Sequence, residues 1–119
     1  MLGMYGDTLA TMEQTTALAR MLPLDIVNFA LAAPYPGTEW GTIAGANGWL
    51  QDSRWEAFDQ NSRAIVDQPG CSHQEVLAAQ RRAYFQWYGS WRGVKFFAQA
   101  WRPRYARFFF TVIRSHLGW

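Results

Sequence analysis

The sequence predicts an α/β chain in which two β/α units are followed by a mostly helical C-terminal extension. Residues 25–33 form an apolar segment of strand length, and residues 9–21 carry apolar side chains at the spacing of an amphipathic helix. The turn Pro34-Tyr35-Pro36-Gly37-Thr38 separates the apolar segment from a second helical segment. Because an almost entirely apolar strand is typical of a parallel sheet covered on both faces, this order predicts a βαβα arrangement.

The first β/α unit begins with a short apolar run at residues 1–5, which ends at Gly6-Asp7-Thr8. Thr8 is the predicted N-cap of a helix over residues 9–21, and Pro23 prevents this helix from continuing. The unit is therefore predicted to be a strand that leads through a glycine turn into one amphipathic helix.

The second β/α unit contains the turn at residues 34–38. Proline fixes φ and glycine permits φ values that other residues avoid, so we expect a stiff turn that holds the Tyr35 ring at the mouth of the strand. Ligands of α/β folds bind at that position. A short helix is predicted over residues 39–47. Two parallel strands alone would leave their edges unpaired, so we expect neighbouring strands from elsewhere.

After residue 50 the sequence becomes connector and then helix. Residues 51–71 are predicted to form an ordered connector, because aromatic side chains at that density are seldom left in water. Ser72-His73-Gln74-Glu75 matches a capping box, which predicts a helix that ends or bends near Gly89. Residues 72–119 are thus predicted to be a helical, basic and aromatic extension, with a last amphipathic helix at residues 105–116. The helix that begins at the capping box is expected to direct seven side chains toward the core: Val76, Leu77, Gln80, Ala83, Tyr84, Trp87 and Tyr88.

The charges are distributed unevenly along the chain. All nine acidic residues lie at or before Glu75, whereas eight of the eleven basic residues follow it. This polarity indicates either docking of the two parts against each other or an anionic partner for the second part. An anionic membrane surface is the partner considered beside internal packing, and a nucleic-acid ligand is not expected. We favour internal packing, because aromatic residues at helical spacing usually belong to a core.

Several classes of protein are not favoured by the sequence. Its apolar runs are shorter than a membrane-spanning helix requires, and the first residues lack the pattern of a secretory signal. A cytoplasmic location is expected, with peripheral membrane attachment as the alternative. Cys71 is the single cysteine, so it is expected to be an ordinary loop thiol rather than part of a disulfide or metal site. His73 and His116 are expected to be structural, and no catalytic residue is nominated.

Three motifs in order carry a resemblance to a known family: Gly3-Met4-Tyr5-Gly6-Asp7-Thr8, then Ala33-Pro34-Tyr35-Pro36-Gly37-Thr38-Glu39, then Asn47-Gly48-Trp49. The chain resembles radical S-adenosylmethionine (SAM) enzymes of the subgroup with an N-terminal cobalamin-binding domain. The resemblance implies that the first two motifs end the fifth and sixth strands of a partial (β/α)6 barrel. It extends over residues 2–88 and implies that the helical extension follows the barrel.

The same resemblance implies a SAM site and the cofactors of the parent enzyme. Those cofactors are SAM, a [4Fe–4S] cluster and cobalamin, and the implied chemistry is reductive SAM cleavage, with methyl transfer or a rearrangement. The residues that this resemblance places near SAM are Gly3, Gly6, Pro34, Tyr35, Pro36, Gly37 and Thr38.

Two departures from the family pattern bear on activity. Tyr5 stands where the family usually has proline, and the CxxxCxxC motif that holds the cluster is absent. The chain is therefore expected to be an α/β fragment that is inactive alone, binds none of these cofactors alone, and associates with the missing N-terminal part of the barrel. The alternative function is a non-catalytic binding module that uses its cationic amphipathic helices.

Overall fold

A computed structural model describes residues 1–100 of the protein, and the helix predicted at residues 105–116 lies outside the described part. Within residues 1–100 the elements are helices and connecting segments. The helices are α1 (Leu9–Met21), α2 (Glu39–Ala46), α3 (His73–Tyr88) and α4 (Trp91–Ala100), and a single 3₁₀ turn lies at Trp55–Ala57. None of the described helices is long and apolar enough to cross a bilayer.

The helices begin where the capping residues predict. Thr8 accepts a hydrogen bond from the backbone N–H of Thr11, and its own N–H donates to the Thr11 hydroxyl at 2.9 Å. At α3 the Glu75 carboxylate accepts the backbone N–H of Ser72 at 2.8 Å, while the Ser72 hydroxyl accepts the N–H of Glu75. These reciprocal bonds satisfy donors that a helix start leaves free. The predicted bounds of α1 and the predicted start of α3 are confirmed.

The two predicted strands, at residues 1–5 and 25–33, are segments joined by one parallel bridge between Leu2 and Leu31. We call them the first segment and the second segment. The N–H of Leu2 donates to the Ala30 carbonyl at 2.9 Å, and the N–H of Ala32 donates to the Leu2 carbonyl at 2.8 Å. Residues 1–100 contain no longer ladder than this bridge. The parallel orientation agrees with a βαβ connection through α1. Membership of a partial (β/α)6 barrel stays a prediction.

Helix α3 covers the other edge of the second segment. Tyr88 donates its hydroxyl to the Val27 carbonyl at 3.0 Å, and the N–H of Phe29 donates to the Tyr84 hydroxyl at 3.1 Å. The Gln80 side-chain amide donates to the Phe29 carbonyl at 2.7 Å. In an extended chain, successive residues direct their backbone groups to opposite edges, so α3 takes the place of a neighbouring strand here.

Residues 26–29 of the second segment are covered on one face, whereas the apolar composition of residues 25–33 predicted burial on both faces; further along, Ala32 is buried on the second face as well. Val27 and Phe29 are buried, but Ile26 is 64% exposed and Asn28 is also exposed. The reason is that α1 and α3 lie on the same side of the segment. The core between them contains Leu2, Met12, Val27, Phe29, Leu31, Cys71, Val76, Ala79, Ala83 and Trp87.

Cys71, predicted to be an ordinary loop thiol, lies in the loop before α3 as a free cysteine, and its side chain belongs to this core. It is 3% exposed, and its Sγ lies 3.4 Å from the Asp7 carbonyl oxygen.

The acidic and basic parts of the chain meet across α1 and α3, where the Arg82 guanidinium lies 3.8 Å from the Glu13 carboxylate. Because both side chains are exposed, this ion pair contributes little to stability.

The connector is fixed to the start of α3 by Asp67. One Asp67 oxygen accepts the backbone N–H of His73 at 2.7 Å and lies 2.7 Å from the His73 ring Nδ1, while Gln51 donates to the other oxygen at 2.5 Å. Partial burial raises the pKa of Asp67, but the hydrogen bonds and charge of His73 outweigh burial and leave the pKa below its ordinary value. Ionised Asp67 therefore stabilises the junction.

The Tyr84→Phe variant tests the edge cover by α3. The variant leaves the Phe29 N–H without its acceptor, and a buried donor left unpaired costs about 1–3 kcal/mol. We expect urea denaturation to show a loss of stability of this size. Tyr5→Phe is the control, since Tyr5 is 56% exposed. Equal stability of the two variants would contradict the assigned role.

The pH dependence of stability tests the Asp67 junction. Because the folded pKa of Asp67 is lowered from an unfolded value of about 3.9, its contribution is present above that pH and is lost as the pH falls through the folded pKa. Wild type should be more stable than Asp67→Asn above about pH 5, and the difference should shrink below about pH 4. Chemical unfolding at a series of pH values measures the difference in the free energy of unfolding between the two proteins. A difference that does not shrink below about pH 4 would contradict the stabilising role of ionised Asp67.

Candidate functional site

Two glycine turns follow the paired segments and leave them in the same direction, because the segments are parallel. The first turn spans residues 3–7, where the N–H of Asp7 donates to the Met4 carbonyl and the N–H of Met4 donates to the Asp7 carboxylate, both at 2.9 Å. Gly3 and Gly6 have φ values of 78° and 84°, a region that favours glycine. The first and second turns together are called the two-turn mouth, residues 3–7 and 34–38.

The second turn is tied to the start of α2. The Tyr35 carbonyl accepts the Thr38 hydroxyl at 2.7 Å and the Thr38 N–H at 3.2 Å, and the Thr38 hydroxyl in turn accepts the Gly41 N–H at 3.0 Å. Gly37 has a φ of 86°. A Cβ on Gly41 would lie 2.2 Å from the Tyr35 carbonyl oxygen. Glycine is a poor helix former, but the structure requires it at position 41 for this close approach.

The predicted SAM residues divide into an accessible and a buried set. Gly3 is buried, and a Cβ there would lie 2.7 Å from Val76 Cγ1, so packing against α3 explains this glycine. Pro34 is fully buried. No atom lies within 4 Å of the position that a Cβ would occupy on Gly6 or Gly37, and both residues are exposed, so their backbone is accessible. Pro36, Gly37 and Thr38 are exposed, and Tyr35 is half-buried.

An aromatic cluster supports the second turn. The Tyr35 and Phe58 rings stack with their centroids 5.5 Å apart, and the Tyr35 hydroxyl donates to the Phe58 carbonyl at 3.2 Å. Trp55 lies 6.1 Å from Tyr35 and is 70% exposed. The connector therefore contributes side chains to the mouth, which the sequence indicated only through its density of aromatic residues.

The first turn has aromatic support as well. Tyr5 stacks on Trp49 with ring centroids 6.2 Å apart. Trp49 and Tyr35 both pack against a second core, so the supports of the two turns meet there; this core consists of Ala57, Phe58, Ile65 and Val66. The mouth thus presents two exposed rings, Tyr5 and Trp55, on a packed base.

Two buried polar atoms near the mouth have no hydrogen-bond partner within residues 1–100. The Gln68 side chain is 7% exposed and donates through Nε2 to the Met4 carbonyl at 2.7 Å, but its Oε1 is unpaired. Trp40 Nε1, in the first turn of α2, is a second such atom. A buried polar group without a hydrogen bond costs free energy. Each of these two atoms can still form a hydrogen bond beside the turns.

The charged groups near the mouth form no cluster suited to a metal. Hydrogen bonds from the Arg54 side chain and backbone lower the pKa of Asp52 to about 2, next to Trp55. Residues 1–100 contain no group of three or more His, Cys, Asp or Glu side chains placed to hold a metal ion. A [4Fe–4S] cluster needs several thiolates, and the one cysteine of this chain does not fit it.

Comparison with known proteins relates most of the chain to a methyltransferase. The chain is 26% identical over 87 residues to a protein of Pyrococcus horikoshii named as an uncharacterized methyltransferase. The match covers 73% of this chain but spans only 19% of the length of that protein. No family model and no solved structure matches the chain. The chain is thus similar in sequence to part of a methyltransferase.

Proposed function

We propose that the chain is part of a SAM-dependent methyltransferase of the radical SAM type, in the subgroup that also binds cobalamin. In this proposal the two-turn mouth forms one wall of the SAM site, and the chain is inactive alone. The observation that carries the proposal is the parallel Leu2–Leu31 pairing, which directs both glycine turns to one end of the segments. The similarity to a methyltransferase and the order of the three motifs support it.

The accessible residues of the mouth fit a ligand such as SAM. Gly6 and Gly37 have open space where a Cβ would lie, so a ligand can approach their backbone groups. The exposed rings of Tyr5 and Trp55 offer faces for stacking on adenine. When bound, SAM supplies the methyl group. The residues of this chain would bind and orient it, and none of them is assigned a proton-transfer role.

The cluster in this proposal belongs to another part of the enzyme. The chain has one cysteine and does not hold the several thiolates that a [4Fe–4S] cluster requires. The assignment to the cobalamin subgroup rests on the resemblance of the motifs alone. A second polypeptide segment that carries CxxxCxxC is therefore part of the proposal.

An exposed apolar surface supports the need for further polypeptide. It lies at the end of α1 and along the loop that leads to the second segment. Contiguous apolar surfaces of this kind usually mark an interface. The rest of the barrel is the proposed cover, since Ile26 lies on the uncovered face of that segment. The surface comprises Leu18, Met21, Leu22, Leu24 and Ile26, between 38% and 78% exposed.

Isolation of the native assembly tests the proposal. The chain, tagged at its C-terminus, is purified from the cells that produce it and analysed for associated polypeptide, iron and labelled SAM. We expect a polypeptide with CxxxCxxC to accompany the tag, and the assembly to bind SAM and produce 5′-deoxyadenosine. A folded monomer that carries no iron and binds no SAM would refute the proposal.

The DNA preceding the Met1 codon provides a second test. It should encode the CxxxCxxC motif, in this frame or a shifted one.

The Gly37→Ala variant of that assembly tests the second turn. At a φ of 86° a side chain costs about 1–2 kcal/mol, so we expect the turn to relax and SAM affinity to fall about tenfold. Equilibrium dialysis with labelled SAM measures the change. Gly45→Ala is the matched control, because its Cβ meets nothing within 4 Å and it lies in α2. Equal affinities of the two variants would exclude the second turn from the SAM site.

A further inference from the structure

The outer faces of α3 and α4 present large apolar side chains to solvent. Phe85 is 81% exposed near the end of α3, and Trp91 is 80% exposed at the start of α4. Val94, one turn after Trp91, is 49% exposed. Only Gly89 and Ser90 separate the two helices, so these three side chains lie close along the chain. We call Phe85, Trp91 and Val94, with the cations described next, the α3–α4 face.

The charge on the α3–α4 face is cationic. Arg81 is exposed one turn before Phe85 on the same side of α3, and Lys95 is exposed one turn after Trp91 on α4. Glu75 is the last acidic residue of the whole sequence, so beyond its first turn neither helix carries a carboxylate. Arg82 differs from Arg81, because it approaches Glu13 of α1 at 3.8 Å. The positive charge of this face is therefore not offset by acidic residues of its own helices.

The combination of rings and scattered cations is typical of one kind of partner. Aromatic and aliphatic side chains enter the boundary between headgroups and acyl chains, while lysine and arginine attract anionic headgroups. A nucleic-acid surface would favour a denser row of cations along a phosphate backbone. The α3–α4 face has three exposed apolar side chains and two cations, Arg81 and Lys95, which favours lipid.

We propose that the α3–α4 face docks on an anionic lipid surface, with the Phe85 and Trp91 rings in the headgroup boundary and Arg81 and Lys95 against the lipid phosphates. This association is peripheral and does not depend on the proposed SAM site, which lies on other residues. It gives a function to a face that internal packing of residues 1–100 leaves exposed.

Vesicle sedimentation of the full chain tests this proposal. Vesicles of phosphatidylcholine mixed with phosphatidylglycerol should bind the chain at low salt, and vesicles of phosphatidylcholine alone should bind it at least about tenfold more weakly. Binding should weaken in about 1 M salt, where the screening length falls to about 3 Å. The double variant Phe85→Ser, Trp91→Ser should bind at least about tenfold more weakly than wild type, because burial of both rings is lost. Arg81→Gln with Lys95→Gln should reduce the preference for anionic vesicles.

The matched control removes two exposed apolar side chains elsewhere. Met21→Ser with Ile26→Ser should bind vesicles like wild type, since these residues are 78% and 64% exposed but lie outside the α3–α4 face. Far-UV circular dichroism and the urea midpoint verify that each variant is folded. Absence of binding at low salt, full binding by the ring variant, equal binding to neutral vesicles, or displacement by an equal phosphate concentration of duplex DNA would each overturn the proposal.

Discussion

The structure of residues 1–100 depends on how α3 satisfies the backbone of the second segment. Gln80, Tyr84 and Tyr88 recur at four-residue spacing and bond to Phe29 and Val27. Burial raises the pKa of the Tyr84 and Tyr88 hydroxyls above the ordinary value of tyrosine. The hydrogen bond from the Phe29 N–H lowers the pKa of Tyr84 by less than burial raises it. Both hydroxyls therefore stay protonated at neutral pH. Without these bonds the segment would expose a bare edge, because its bonds to Leu2 lie on the opposite edge.

The geometry of the two-turn mouth follows from the same arrangement. With α3 against one edge, the second segment accepts Leu2 at the other, and the parallel bridge then sets the direction of both turns. Gly3 lies directly under Val76 of α3, so any side chain at Gly3 would push the first turn away from the helix. The position of a surface turn is thus coupled to a helix more than sixty residues later in the chain. This coupling explains why a buried glycine and an exposed glycine occur within one short turn.

Local signals allowed the helices to be predicted from sequence. Thr8, Thr38 and Ser72 act through bonds to residues within one turn, so their sequence neighbours contain the necessary information. The pairing of Gln80 with Phe29 joins residues 51 positions apart, and no local pattern encodes such a bond. The inward placement of Gln80 was predicted and is confirmed, but the periodicity of α3 does not reveal its backbone partner.

The same distinction applies to the candidate site. Proline and glycine predicted the second turn because they act on their own φ angles, whereas Trp55 and Phe58 reach Tyr35 through tertiary packing. The apolar composition of residues 25–33 predicted burial on two faces, but α1 and α3 both lie on one side and leave Ile26 and Asn28 exposed. Composition records what a segment can bury and does not specify which neighbour buries it.

The second segment is bonded differently along its two edges: its inner edge pairs with Leu2, and its outer edge bonds to side chains of α3 and to the connector. Gln80, Tyr84 and Tyr88 occupy the outer edge of the second segment, and the Gln60 carbonyl accepts the Leu31 N–H on that same edge at 2.6 Å. A further strand could therefore not pair along that edge without displacing these bonds. If the chain belongs to a larger sheet, as proposed, that sheet extends from the side of Leu2, and the second segment is its terminal strand.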